Sequence, residues 1–346
     1  MAIDRSPTLE DVARVAGVSR ATVSRVVNQE RRVAPAIQQK VAAAISTTGY
    51  VPNRAARSLV TRRAGSVAVV VAGSALDDGA DRVAEMLADP FFGRVAGGAV
   101  RALRPHDVHP VLMLADDAAA RRQVTSFVAS GHVDGALLVS TAGHDPLAAE
   151  LHALGRPVVV FARPTDGLPV SWVDVANAEG GALAADRLLS GGRRRLGLVG
   201  VDPALDVHAA RDRATGFRAA AERGGARVVA GASGEFTVAS GAAAARRLLD
   251  QAPDIDGLFA ANDLMALGAL QVLQARGVRV PDEVAVVGFD DSPVATISAP
   301  PLTTVRQPVE DMARAMAELL LRQIEGDDSA PRSQTFAPRL VPRASA

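Results

Sequence analysis

Short apolar runs recur along the chain from residue 66 onward and limit the folds that it can adopt. Between them lie amphipathic stretches such as AAARRQVTSFVAS and DLMALGALQVLQARG, whose apolar residues are spaced as on one face of a helix. Buried parallel strands read as continuous apolar runs, and their alternation with helices is typical of doubly wound α/β layers. The length of this region predicts two such layers. The runs are VAVVV (67–71), VLML (111–114), ALLV (136–139), VVVF (158–161), LGLVG (196–200), GLFAA (257–261) and VAVVGFD (284–290).

The first sixty residues have a different pattern, which predicts three short helices. Thr8 and Ser19 are suited to cap two helices separated by Gly17, and Pro35 and Gly49 are typical of the start and end of a third. Two helices joined by a short turn that contains glycine form a helix-turn-helix, whose second helix reads DNA. Generic pairs of helices share this pattern, so the motif by itself is not specific.

Charge separates the two regions. Residues 1–63 contain eleven Lys and Arg against four Asp and Glu, a net charge of +7, whereas the other residues contain 27 basic against 34 acidic groups, a net charge of −7. A basic module on an acidic body favours a polyanionic partner at one end only. The alternative is a solvated arginine surface. Charge and helices together favour DNA binding.

Several classes of protein find no support in the sequence. The chain has no cysteine, which excludes disulfides and thiolate metal sites. Its six histidines lack metal-ligand spacing, and no GxSxG, phosphate-binding loop or dinucleotide fingerprint occurs, which argues against an enzyme. The N-terminal residues lack the apolar segment of a secretory signal, and no apolar run reaches the length of a membrane span, so we expect a cytoplasmic protein.

Residues 8–60 resemble the DNA-binding head of the LacI–GalR family of bacterial transcriptional regulators, through LEDVARVAGVSRATVSRVVNQ followed by VAAAISTTGYVPNRAARSL. The resemblance implies that Arg20, Ala21 and Arg25 face base edges in the major groove. Arg25 could direct its fork to guanine, whereas Arg20 either does the same or binds phosphate. Thr22, Ser24 and Asn28 are expected to contact phosphate. The complete predicted DNA-binding set is Thr8, Ser19, Arg20, Ala21, Thr22, Ser24, Arg25, Asn28, Tyr50, Asn53, Ala56, Arg57 and Leu59.

The segment NRAARSLVTRR (53–63) is too short to form a stable helix by itself. Two interpretations are open. It is either a disordered basic linker or, as the resemblance implies, a hinge helix that forms on operator DNA. In the second case two copies lie in the minor groove, Leu59 enters a central base step, and the small Ala55 and Ala56 permit close approach.

The resemblance extends through the body of the chain, in RDRATGF, FAANDLMALGAL, VPDEVAVVGFDDSP and PPLTTVRQP. It implies a periplasmic-binding-protein-like core of two doubly wound parallel sheets, with an effector between the lobes. Some effector-binding residues are predicted from positions that match the family. Others are polar residues that follow buried strands, because ligands bind at the carboxyl ends of strands. The predicted effector-binding set is Phe92, Arg163, Arg213, Phe236, Asn262, Asp263, Asp290 and Gln307. Four of these residues have a structural alternative: Arg213 could pair with an acidic neighbour, Asp263 could cap a helix, and Phe92 or Phe236 could belong to the core.

We predict three regions of the chain and a division of the core. The headpiece is 1–52, the hinge 53–65 and the effector-binding and dimerisation core 66–346. Lobe 1 is predicted at 66–162 plus 293–324, and lobe 2 at 163–292 plus 327–342. The chain would then cross between lobes near 162–164, 290–292 and 324–327.

Three departures from the family bear on the ligand. Ala162 and Ala176 stand where many members have acidic residues, and 74–88 is an apparent insertion near the mouth of the pocket. Because these changes remove acceptors for hydroxyl groups, a plain hexose cannot be assumed. A phosphorylated or carboxylated ligand, paired with Arg163 or Arg213, stays open.

The sequence therefore predicts a bacterial, nucleoid-associated repressor that is not an enzyme and uses no cofactor or metal. It would bind a palindromic operator as a homodimer or tetramer, under the control of a small-molecule effector, a sugar or related metabolite. The alternative is the same DNA-binding role under the control of a corepressor or a partner protein.

Overall fold

The computed structural model describes residues 7–27, 33–51, 63–73, 87–140, 145–164, 167–327 and 330–346. The chain divides into two compact units, Met1–Gly65 and Ser66–Ala346. Each unit has its own buried apolar core.

The described residues of the N-terminal unit form three helices: α1 (Leu9–Ala16), α2 (Arg20–Val27) and α3 (Pro35–Thr48). At the start of α1, the carboxylate of Asp11 accepts from the backbone N–H of Thr8 at 3.0 Å and from its hydroxyl at 2.8 Å. The helix ends at Gly17, whose φ of 64° is a left-handed conformation that favours glycine. Ser19 starts α2, since its hydroxyl accepts from the backbone N–H of Thr22 at 3.1 Å.

A small apolar core holds these helices together. Val12, Val23 and Val41, one from each helix, are fully buried. α2 buries only Val23 among its eight residues, and its Arg20, Ala21 and Arg25 are exposed. The three predicted helices are present.

Two six-stranded sheets, each covered by helices, form the second unit. The strands are β1 (Ser66–Ala72), β2 (His109–Ala115), β3 (Ala136–Ser140), β4 (Val158–Phe161), β5 (Ser171–Val175), β6 (Arg195–Val201), β7 (Arg227–Gly234), β8 (Gly257–Ala260), β9 (Ala285–Asp290), β10 (Thr303–Arg306), β11 (Ser333–Phe336) and β12 (Arg339–Val341). The helices are α4 (Pro90–Leu103), α5 (Ala118–Ala129), α6 (Pro146–Ala153), α7 (Asn177–Ser190), α8 (His208–Arg223), α9 (Val238–Gln251), α10 (Asp263–Ala275), α11 (Val294–Ile297) and α12 (Val309–Ile324).

The strand order of the first sheet is β11-β5-β4-β3-β1-β2, and that of the second is β12-β10-β9-β8-β6-β7. Neighbouring strands are parallel, apart from the antiparallel pair of β10 and β12. We call the first sheet with its helices lobe 1 and the second lobe 2. Each of the seven apolar runs forms a strand, so the predicted α/β class with two parallel layers is confirmed.

The predicted lobe boundaries differ from the structure. β5 pairs with β4, so lobe 1 continues to residue 175 instead of ending at 162. β10 pairs with β9, so 303–306 belongs to lobe 2, whereas α12 packs on lobe 1. The chain therefore crosses between lobes at 176, at 307–308 and at 337–338, and not near 162–164, 290–292 and 324–327. The predicted boundaries were wrong because an apolar run indicates a strand without indicating its partner.

Two glycines set the distance between α7 and α8. A Cβ atom on Gly216 would lie 1.8 Å from the carbonyl oxygen of Ala178, and one on Gly181 would lie 2.0 Å from that of Arg213. The two backbones therefore touch where the helices cross. This contact fixes the start of α7 relative to the N-terminal half of α8, which carries Arg213.

Candidate functional site

The second helix of the N-terminal unit presents an exposed basic surface. Arg20, Ala21 and Arg25 are exposed, and Ala21 and Arg25 are four residues apart, which places them on one side of α2. Nε of Arg20 lies 3.0 Å from Oε1 of Glu10, a contact between two exposed side chains. An exposed pair of this kind is weak and can be exchanged for another partner.

The other predicted DNA-binding residues have varied surroundings. Thr8 and Ser19 use their hydroxyls at the starts of α1 and α2, Ser24 is partly buried, and Tyr50 packs against the small apolar core. The hydroxyls of Ser19 and Thr22 are 2.9 Å apart. Five predicted residues lie outside the described residues: Asn28, Asn53, Ala56, Arg57 and Leu59. Residues 53–62 of the predicted hinge and residues 74–86 of the insertion also lie outside them.

A cavity of about 560 Å³ lies between the two lobes of the second unit. It is lined by residues that follow the carboxyl ends of strands in both sheets, as expected for α/β folds. Two positions in its wall have unusual backbone conformations for L-residues, Ala162 with φ 76° and Asp290 with φ 105°. Such conformations cost energy and persist where the surrounding structure fixes them, often at functional sites.

The cavity contains seven of the eight predicted effector residues: Phe92, Arg163, Arg213, Phe236, Asn262, Asp290 and Gln307. Phe92 and Phe236 are partly buried and come from opposite lobes, while Arg163 is exposed at the edge. The side chain of Asn262 also caps α10, where its Oδ1 accepts from the backbone N–H of Met265 at 2.9 Å.

Arg213 is the central cation of the cavity. Its Nε donates to Oδ1 of Asn177 at 2.9 Å, and its Nη1 donates to the carbonyl oxygen of Ala261 at 2.7 Å. The guanidinium carbon lies 3.6 Å from the centre of the Phe289 ring, and Nη1 lies 3.6 Å from Oδ1 of Asp290. With 4% of its surface exposed, the side chain is held rigidly before any ligand enters.

Asp290 faces Arg213 at the end of β9. Nε2 of Gln307 donates to its Oδ1 at 2.5 Å. Burial raises the pKa of Asp290 to about 8, although Arg213 acts in the opposite direction. The raised pKa favours the neutral form of this carboxyl group, which can donate as well as accept a hydrogen bond.

Asp263 is the predicted effector residue that the structure does not place at the cavity. Its Oδ1 accepts from the hydroxyl of Thr304 at 2.5 Å and its Oδ2 from the backbone N–H of Ser292 at 2.7 Å. The residue is 1% exposed, and burial raises its pKa to about 7. Both oxygens are already used inside lobe 2, so Asp263 ties β10 to the segment after β9.

Several polar residues of the cavity were missing from the predicted set, among them Asp89 and Asp174. Oδ1 of Asp89 accepts from the backbone N–H of Phe91 at 2.9 Å and starts α4. Asp174 accepts from the backbone N–H of Arg163 at 3.1 Å and from Nδ2 of Asn177 at 3.2 Å. Burial raises the pKa of Asp89 and of Asp174. Asp174 lies in β5, whose residues alternate between buried and partly exposed positions, and it occupies one of the partly exposed positions. This alternation in the sequence could have indicated its place in the cavity.

Other kinds of site find no support in the described parts of the chain. Across these ranges, no group of three or more His, Cys, Asp or Glu side chains is arranged to hold a metal ion. Among the described helices, none combines the length and apolarity that crossing a membrane requires.

Similarity to known families and proteins shows the family to which the chain belongs. Residues 8–53 match the family described as bacterial regulatory proteins, lacI family, and residues 185–346 match a periplasmic binding protein-like domain. The HTH-type transcriptional regulator CelR of Thermobifida fusca is 43% identical, over 99% of this chain and 98% of its own. The chain belongs to the LacI family of bacterial regulatory proteins. It is therefore a DNA-binding transcriptional regulator, as the sequence predicted.

Other LacI-family members support the same assignment. The ribose operon repressor of Escherichia coli K12 is 31% identical over 98% of this chain and 99% of its own. A solved structure of a CelR–cellobiose complex superposes with a TM-score of 0.76 at 40% identity, covering 98% of this chain and 100% of that one. The lac repressor dimer bound to operator and an anti-inducer superposes with a TM-score of 0.83 at 26% identity, covering 99% of both chains.

Proposed function

We propose that this regulator is a dimeric repressor whose operator affinity is set by an uncharged oligosaccharide bound between its lobes. The observation that carries the proposal is the cavity of about 560 Å³, in which Arg213, Asp290 and Asn177 already hold one another in place. A site fixed before ligand entry needs little ordering on binding, which favours affinity.

Proposed roles in DNA binding follow from the exposed face of α2. Arg25 and Arg20 read base edges, Ala21 contacts a thymine methyl group, and the hydroxyl side chains position α2 on phosphate. Contact with DNA would exchange the exposed Arg20–Glu10 pair for phosphate or guanine. Dimerisation would then place two copies of α2 on the half-sites of a palindrome.

Charge in the cavity favours a neutral ligand. Seven acidic side chains line it, Asp89, Asp116, Asp145, Asp174, Asp212, Glu235 and Asp290, against the three arginines Arg163, Arg211 and Arg213. Burial favours the neutral form of Asp290, and Asp145 pairs with Arg121, but the other five acidic groups still outnumber the three arginines. A phosphate or carboxylate on the ligand would therefore face an excess of acidic groups. Protonated and ionised carboxyl groups, by contrast, pair well with sugar hydroxyls. Phe92 and Phe236 provide aromatic surface for the apolar faces of sugar rings.

The size of the cavity and the CelR–cellobiose complex point to a disaccharide of the cellobiose type. The volume lies within the range of small-molecule sites, about 300–1,000 Å³. Binding of the disaccharide without its chemical conversion would distinguish this role from that of an enzyme. Control by a partner protein is less well supported, because it would leave the enclosed polar groups of the cavity unused. Such a regulator would act in the bacterial cytoplasm, at the nucleoid.

A thermal-shift comparison of matched sugars tests the ligand class. Cellobiose, at a hundredfold excess over its Kd, should raise the Tm of the full chain by about 5 °C, from about 2.7 kcal/mol of binding free energy. Cellobiouronic acid, which keeps both rings and carries a carboxylate in place of one C6 hydroxymethyl group, should raise it less, and glucose is the control for size. A larger shift with the acid, or no shift with either disaccharide, would refute the proposed ligand class.

A further inference from the structure

Helix α4 begins at the cavity and reaches the crossing between lobes within its first two turns. Asp89, which caps the helix, and Phe91 and Phe92 line the cavity. Arg94 follows two residues later and is not among the residues that line the cavity. Its side chain is 17% exposed.

Arg94 contacts three parts of the chain at once. Its Nε and Nη2 donate to the carboxylate oxygens of Glu310 at 2.7 and 3.0 Å. Its Nη1 donates to the backbone carbonyl of Asp290 at 2.9 Å, and its Nη2 also lies 3.4 Å from the carbonyl of Gln307. We call these four groups the Arg94 clasp.

The clasp joins the two lobes at the residues that face the effector. Arg94 and Glu310 lie on helices of lobe 1, whereas Asp290 ends a strand of lobe 2 and Gln307 lies in the crossing at 307–308. The side chains of Asp290 and Gln307 line the cavity and bond to each other, while their carbonyls face Arg94. A ligand that moves these side chains therefore moves the acceptors of Arg94.

The chemistry of the clasp is specific to arginine. A planar guanidinium can hold a carboxylate with two nitrogens and still donate to carbonyls on its other edge, which an ammonium group cannot do in one plane. The hydrogen bond from Arg94 also lowers the pKa of Glu310, which keeps this carboxylate ionised. Close packing supports the geometry, because a Cβ atom on Gly98 of α4 would lie 2.7 Å from Cβ of Ala313 on α12.

We propose that Arg94 is a positioning residue that transmits effector binding from the cavity to the arrangement of the lobes. The clasp stabilises the arrangement seen here, and its two carbonyl contacts break when the lobes rotate about the crossings. An effector that contacts Asp290 and Gln307 then has different affinities for the arrangements with and without these contacts, and operator shifts the populations of the two arrangements. This role rests on the proposed function of the cavity.

The test measures the ratio of the cellobiose Kd with operator bound to the Kd without it, for the full chain. The wild-type ratio should depart from one by at least about tenfold, within the usual range of coupling between sites. Arg94→Met should bring it to within threefold of one, and Arg94→Lys should resemble Arg94→Met. Arg104→Met, which removes an exposed arginine immediately after the same helix, is the matched control and should keep the wild-type ratio.

An exchange of charges separates coupling from stability. The double variant Arg94→Glu with Glu310→Arg can rebuild the ion pair, but a carboxylate at 94 cannot donate to the two carbonyls. We expect it to recover the Tm lost in Arg94→Met without recovering the ratio. A wild-type ratio in Arg94→Met, or its full recovery in the double variant, would overturn the proposal. A ratio of one in the wild-type protein would refute the proposed function, and this role with it.

Discussion

Replacing Arg213 by methionine should remove the response to cellobiose and leave operator binding close to that of the wild type. The guanidinium is buried, stacks on Phe289 and holds Asn177 and Asp290 in the cavity. Truncating one member of a buried, charged hydrogen-bond group costs about 2–5 kcal/mol. We expect the Kd for cellobiose to rise on the order of 100-fold or more, measured by titration calorimetry.

Controls for Arg213 come from the same helix and the same position. Arg218→Met removes an exposed arginine from α8 and should leave the Kd unchanged. Arg213→Lys keeps the charge without the planar fork and should bind between wild type and Arg213→Met. The assignment of Arg213 fails if Arg213→Met binds cellobiose within threefold of the wild-type Kd.

Replacing Gly216 by alanine should destabilise the core by about 3 kcal/mol. The added Cβ atom would clash with a backbone atom, and no side chain could rotate to relieve the clash. The new Cβ would lie 1.8 Å from the carbonyl oxygen of Ala178, so α7 and α8 must separate. Separation would also displace Asn177 from Arg213. The free energy of unfolding is measured by urea denaturation, with helical circular dichroism as the signal.

Gly97→Ala is the matched control, because a Cβ atom there would have no neighbour within 4 Å. Alanine in that open helical position should stabilise the core by about 0.5–1 kcal/mol. Equal urea midpoints for Gly216→Ala and the wild type would show that the two helices do not pack as closely as described.

Six of the seven apolar runs form strands that are mostly buried, whereas VLML forms the partly exposed edge strand β2. Continuous apolar runs such as VAVVV and VVVF are typical of central parallel strands, and these two form β1 and β4. β5 was missed because it alternates buried and partly exposed residues. Its pairing with β4 moved the lobe boundary, and no local pattern encodes that partner.

The sequence predicted most residues of the cavity, but it did not predict which of the carboxylates face it. Arg213, Asp290 and Gln307 meet in the cavity, whereas Asp263, at the end of an equally apolar strand, turns inward to Ser292 and Thr304. The difference depends on which way a side chain points after the strand ends, and that direction is set by tertiary contacts. Asp89 and Asp174 supply carboxyl groups in the cavity although Ala162 and Ala176 lack them.

The central claim is that one chain joins a sequence-specific DNA reader to a sugar sensor. Selection of the full chain on a randomised duplex library, at one fixed salt concentration and with or without cellobiose, tests it most directly. We predict enrichment of a symmetric site with half-sites about one helical turn apart, bound at least about 1,000-fold more tightly than scrambled duplex, with an affinity that cellobiose changes. Equal binding to selected and scrambled duplexes, in the presence and in the absence of the sugar, would contradict the account.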